Sequence, residues 1–173
     1  IEKSLSQPSS RKEMTTIQNQ DDTTQNLDTY VNHLLCDDAK HYPALLNEWE
    51  KHVVETELAR QKTAFWYRNP KGGGDISLAI PYEDEDKKLM RPDFVFFGKN
   101  AKGEIVADIV DPHGPQYADA LPKLKGLSQY AEKHSDIFQR IESIAKINDE
   151  YKVLDMTQAD VRQAIASASS AKE

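Results

Sequence analysis

The sequence predicts an α/β domain: a mixed central β-sheet flanked by helices. Two short runs, residues 94–97 and 105–110, are rich in β-branched and aromatic residues and apolar at successive positions, as strands covered on both faces are. Apolar residues recur at helical spacing around them, Leu46, Trp49 and Val53 before and Leu121, Leu124, Leu127 and Ala131 after. The order is helix, strands, helix, strand pair, helix, with no internal repeat, and it suits a sheet with helices packed on it.

Taken in order, residues 1–26 are rich in Ser, Thr, Gln, Asn and Asp and read as a flexible polar linker. A folded domain then spans 27–166, and 167–173 form a disordered tail. Tyr30, Val31, Leu34 and Leu35 suggest a short helical turn docked on the body. The first long helix starts near Pro43 or Asn47, because Asn47 with Glu50 three residues on resembles a capping box. Residues 63–68 read as a strand, broken by Asn69-Pro70 and a triple glycine, with 76–82 following as an alternating strand across a hairpin connection. That glycine run lacks the Gly-Lys-Ser/Thr ending of a phosphate loop. Residues 83–88 are a solvated charge run without calcium-loop spacing. Asp119 is the expected N-cap of the second helix, which has Pro122 in its first turn. Residues 138–147 and 151–156 form a strand hairpin, and Thr157 with Asp160 caps a last helix carrying Val161, Ala164 and Ile165.

The totals bound the function. A chain of 173 residues supports one domain with a real core, yet 38% hydrophobic residues and a mean hydropathy of -0.72 call for a polar, poorly ordered part, which 1–26 supply. One cysteine, Cys36, excludes an internal disulfide framework and a Cys-based zinc cluster. There is no apolar run of membrane-span length and no signal-peptide core, so a cytoplasmic setting without a membrane partner is expected. A net charge of -7 argues against a module that grips nucleic acid by itself. It is compatible with a metal-loaded site to which another domain delivers the nucleic acid.

The chemistry concentrates in residues 91–114. If the turn is Ala101-Lys102-Gly103 and Asn100 pairs with Glu104, each step back along one strand matches a step forward along the other, and Asp93 lands opposite Asp111. Two carboxylates so placed repel unless something cationic sits between them, and a hard divalent metal does this. A one-residue bulge at Gly103 would turn one acid away. His113, two residues beyond Asp111, shares its face. Glu57 continues the apolar stripe of the first helix and is a candidate third acid, its alternative being an ion pair with Arg60 or Arg68. Lys123 and Lys125 in the second helix are placed to reach back toward the strand end.

Trp66-Tyr67-Arg68-Asn69-Pro70, Arg91-Pro92-Asp93-Phe94, Val110-Asp111-Pro112-His113-Gly114 and residues 120–127 together resemble the PD-(D/E)xK, or restriction endonuclease-like, nucleases. More specifically, they are similar to the C-terminal region of type III restriction Res-type helicases and related phage-defence helicase-nucleases. The resemblance covers roughly residues 47–161. It implies a restriction endonuclease-like core and a DNA endonuclease using Mg²⁺ or Mn²⁺ held by Asp93 and Asp111, with Glu57 as the helix acid. It further implies DNA and a helicase/ATPase domain of the same parent chain as partners. The family's Glu-x-Lys is Asp-x-His here, so the lysine's work falls to His113, Lys123 or Lys125. The alternative is a nuclease-like module without catalysis that docks a helicase, partner subunit or DNA.

Overall fold

The computed structural model describes residues 16–18, 24–36, 38–60, 62–72, 74–82 and 88–171. Most of the expected linker and the charge run at 83–87 lie outside the described residues, as do the last two residues of the expected tail.

Two short antiparallel ribbons come first: β1 (Thr16–Gln18) with β2 (Thr24–Asn26), and β3 (Asp28–Val31) with β4 (His41–Ala44). Tyr30 and Val31 therefore lie in a strand, not in the expected helical turn. The strand is locally reasonable, because Tyr30 sits directly opposite Tyr42 on β4. Helix α1 (Glu48–Ala59) begins at Asn47, whose Oδ1 accepts the N–H groups of Trp49 and Glu50 while Glu50 Oε2 accepts the N–H of Asn47. This is the capping box read from the sequence.

A five-stranded sheet follows, in the order β11, β10, β9, β8, β5. Strand β5 (Thr63–Arg68) pairs antiparallel with β8 (Phe94–Lys99), and β8 with β9 (Ile105–Pro112). Helix α2 (Ala120–His134) crosses over to β10 (Phe138–Ile147), which runs parallel to β9 and turns back into antiparallel β11 (Glu150–Asp155) before α3 (Ala159–Ser167). The mixed sheet with helices is thus as expected, with α1 packed against β5 and β9, and α2 against β10 and α3.

Residues 76–82 depart from expectation. Only Ile80–Tyr82 (β6) is a strand, and it pairs with β7 (Lys88–Met90), not with β5. Strand β5 has no free edge to offer: β8 takes one side, and on the other Trp66 exchanges backbone hydrogen bonds with Asn32 and Leu34. The β6–β7 ribbon packs on α2 instead. Gly126 permits this, since a Cβ there would lie 2.5 Å from Tyr82 Cβ.

Side chains alternate between the two faces of the sheet. Phe94, Phe96 and Val110 join Val53, Val54 and Trp66 in a core under α1, while Ile109 and Ile141 join Leu127, Ala131, Met156 and Ile165 in a second core under α2 and α3. Trp66 is wholly buried, its indole N–H donating to Val31 O at 2.8 Å, so it is a core residue.

Two caps differ from expectation. Asp119 does precede α2 but makes no side-chain cap bond, because its carboxylate is paired with Lys123 at 2.7 Å. Gln158, not Thr157, is the N-cap of α3, and the Thr157 hydroxyl donates to Asp155 at 2.7 Å.

Candidate active site

The β8–β9 hairpin has the register that brings the two acids together. Phe94 faces Val110 and Lys99 faces Ile105, Asn100 N–H donates to Glu104 O at 3.0 Å, and Gly103 takes the left-handed conformation at φ +81°. No bulge intervenes, so the next step places Asp93 against Asp111. There the backbone N–H of Asp93 donates to Asp111 Oδ1 at 3.0 Å.

Asn69 holds the bend at Pro92-Asp93 from behind. Its N–H donates to Asp93 O at 2.8 Å, and its side-chain amide donates to Pro92 O and Leu78 O and accepts the N–H of Leu78, each at 2.8 Å. The residue is buried, so these bonds satisfy its amide and fasten the ends of β5 and β8 to the loop at Leu78. From sequence it reads only as a strand breaker.

The helix acid that reaches this end of the sheet is Glu50. Its Oε1 lies 3.0 Å from Arg68 Nη2 and 3.7 Å from Lys71 Nζ, and Lys71 Nζ is 3.4 Å from Asp93 Oδ1. Lys71 thus bridges Glu50 and Asp93 from the turn after β5, with its side chain largely in solvent. Glu57 belongs elsewhere. Arg140 Nη2 grips Glu57 Oε2 and Asp108 Oδ2 at 2.7 Å each, Nη1 contacts Glu142 at 3.1 Å, and Arg60 Nε lies 3.1 Å from Glu57. The displacement is geometric. Seven helical residues carry Glu57 about 10 Å along α1 from Glu50, and three strand residues carry Asp108 about 10 Å along β9 from Asp111. Glu50, Val53, Val54 and Glu57 are the buried residues of α1. Val53 and Glu57 of the expected stripe are buried while Trp49 is only half-buried, and stepping one turn back from Val53 finds the acid that stepping forward misses.

The electrostatics of the pair are strained. Burial, reinforced by the Asp93 charge, pushes the Asp111 carboxyl up to about 7, against the opposing pull of the Asp93 N–H, Lys123 and Lys71. Burial also raises Asp93, with Lys71 lowering it and Glu50 raising it.

His113 and Lys123 meet Asp111 in a small recess that Met90, Leu127 and Ser143 also line. Burial and the Lys123 charge lower the His113 pKa, and its buried Nε2 has no hydrogen-bond partner among the described residues. Lys125 does not join them. Two residues turn a helix by about 200°, which carries it away from the face on which Lys123 meets Asp111. The lysine that the structure places beside Asp93 and Glu50 is Lys71.

The sequence profile of the YagJ family matches residues 31–173. Protein YagJ of Escherichia coli (strain K12) is 47% identical over 169 residues, a match covering 97% of this chain and 69% of that protein. The chain belongs to the YagJ family. No solved structure matches it. Neither YagJ match bears a nuclease description, so the likeness to nucleases rests on the motif residues and on the geometry around Asp93 and Asp111. Among the described residues of this YagJ family chain, no group of three or more His, Cys, Asp and Glu side chains is arranged to hold a metal ion, and no helix is long and apolar enough to cross a membrane.

Proposed function

We propose that the chain is a Mg²⁺- or Mn²⁺-dependent DNA endonuclease domain with a restriction endonuclease-like core, working with a helicase/ATPase domain. The observation that carries this reading is the junction of Asp93 and Asp111, two carboxylates of which one is held protonated up to about pH 7 by burial and by the other's charge. A cation between them relieves that repulsion. The donor set fits, since Mg²⁺ is commonly held by one or two carboxylates, with water and substrate phosphate completing its shell. The arrangement of α1, antiparallel β5, β8 and β9, the α2 crossover and parallel β10 supports the same reading, because it sets the acids at one end of a central hairpin.

Asp93 and Asp111 would hold the ion, and once bound it supplies Lewis-acid polarisation of a phosphoryl oxygen and a more acidic water. Lys71 offers its ammonium on the outer side of Asp93, where charge on phosphate oxygens needs a donor. Glu50, itself anchored by Arg68 and the helix cap, orients Lys71. Lys123 favours the ionised form of Asp111. His113, where PD-(D/E)xK nucleases have their lysine, lines the same recess.

Supercoiled plasmid incubated with Mg²⁺ or Mn²⁺ tests the reading. Nicking is expected from the native chain and not from Asp93→Ala or Asp111→Ala, and cleavage that survives both substitutions rejects it. The net charge of -7 and the histidine at the lysine's position favour a second reading, a docking module without catalysis. That reading expects no Asp111-dependent binding of Mn²⁺ by calorimetry.

A further inference from the structure

A cleft of about 230 Å³ lies beside the carboxylate pair, between α2 and the β10–β11 hairpin. Leu124, Ala145, Ile147 and Leu154 make it largely apolar, and His113 and Ser143 form its inner wall. His113, Leu124 and Ser143 also line the recess that contains Asp111 and Lys123, so the two spaces share a wall. We propose that this cleft receives one unpaired base of the DNA strand whose phosphate sits at Asp93 and Asp111. The proposal rests on the nuclease reading and narrows its substrate to DNA that is single-stranded or opened at the cut.

Three features select a base. The cleft is below the range of about 300–1,000 Å³ that drug-sized ligands occupy and well above the roughly 30 Å³ of one water, a size for a single planar heterocycle. Its walls are largely apolar, as a stacked base requires, and they include the ring of His113. A ring on that wall gives a base a face to stack on. Finally, Lys152 lines the same cleft and Lys123 the adjoining recess, each in an ion pair, with Glu150 and Asp119, that flanking phosphates would exchange for their own.

The test uses the full chain with Ca²⁺ and a short single-stranded oligonucleotide carrying 2-aminopurine, against a duplex of equal length. Leu154→Trp fills the cleft from a partly exposed rim position. It is expected to weaken single-strand binding about tenfold, the scale of one lost stacking contact, to remove the 2-aminopurine fluorescence change, and to leave duplex affinity unchanged. Equal weakening of both DNAs, or a fluorescence change that persists in Leu154→Trp, overturns the proposal. Plasmid cleavage separates the two failures. Asp93- and Asp111-dependent cleavage with a fluorescence change indifferent to Leu154→Trp removes the base cleft alone. A fluorescence change lost in Leu154→Trp without any metal-dependent cleavage removes the nuclease reading and leaves the cleft.

Discussion

The backbone N–H of Asp93 donates to Oδ1 of Asp111 at 3.0 Å, joining two acids 18 residues apart in sequence. The bond sets one carboxylate against the backbone of the other's residue at the open end of the β8–β9 hairpin. It offsets part of the repulsion, yet Asp111 still holds its proton up to about pH 7. Stability is therefore coupled at this one point to the cation binding and catalysis proposed for it.

Asp111 makes stability depend on pH in a direction unusual for a carboxylate. Its native pKa of about 7 lies above that of an unfolded Asp, about 3.9. The native state therefore binds the extra proton between these values, and the contribution is full below the lower one and lost as pH rises through the upper. Urea unfolding is expected to show a loss on the order of a few kcal/mol between pH 5 and pH 8. Asp111→Asn flattens this dependence, and millimolar Mn²⁺ at pH 8 restores stability to the native chain but not to the variant.

Lys71→Met removes the ammonium beside Asp93 while leaving both carboxylates in place. Plasmid cleavage is expected to fall about a hundredfold, the scale of one lost donor at a developing charge, with Mn²⁺ affinity by calorimetry little changed. Lys71→Arg keeps the charge and is expected to restore part of the rate.

Asn69→Ala tests whether the Pro92-Asp93 bend is fastened from behind. It deprives Leu78 N–H, Leu78 O and Pro92 O of their partners, the Pro92 contact being buried. A loss of about 2–3 kcal/mol is expected in urea unfolding, together with weaker Mn²⁺ binding, because Asp93 loses its support.

The Arg140 cluster is expected to be structural. Arg140→Met leaves Glu57, Asp108 and Glu142 without their cation, which costs about 3–5 kcal/mol in stability. Glu57→Gln is expected to leave Mn²⁺ affinity unchanged, whereas Glu50→Gln loosens Lys71 and lowers cleavage.

The hairpin was readable because its determinants are local: a glycine at the one turn position that requires φ above zero, and strand periodicity counted outward from it. The buried stripe of α1 was readable at Val53 and Glu57, but sequence spacing carries no information about which end of a helix lies over which end of a sheet. That is why Glu57 stood in for Glu50. Asn69 and Lys71 were harder still. They sit in a turn between β5 and an irregular stretch, and their partners at Leu78, Pro92, Asp93 and Glu50 come together only once the sheet is built. The pairing of β5 was misjudged for a related reason, since residues 32–34 claim its outer edge from a distance no periodicity reveals.

Mn²⁺ titration by calorimetry, on the native chain and on Asp93→Asn and Asp111→Asn, tests most directly whether these two carboxylates form one cation site. A single site lost in each variant is expected, its apparent affinity in the native chain rising with pH up to about 7 as Asp111 gives up its proton. Binding that persists in both variants, or that is independent of pH across this range, would contradict it.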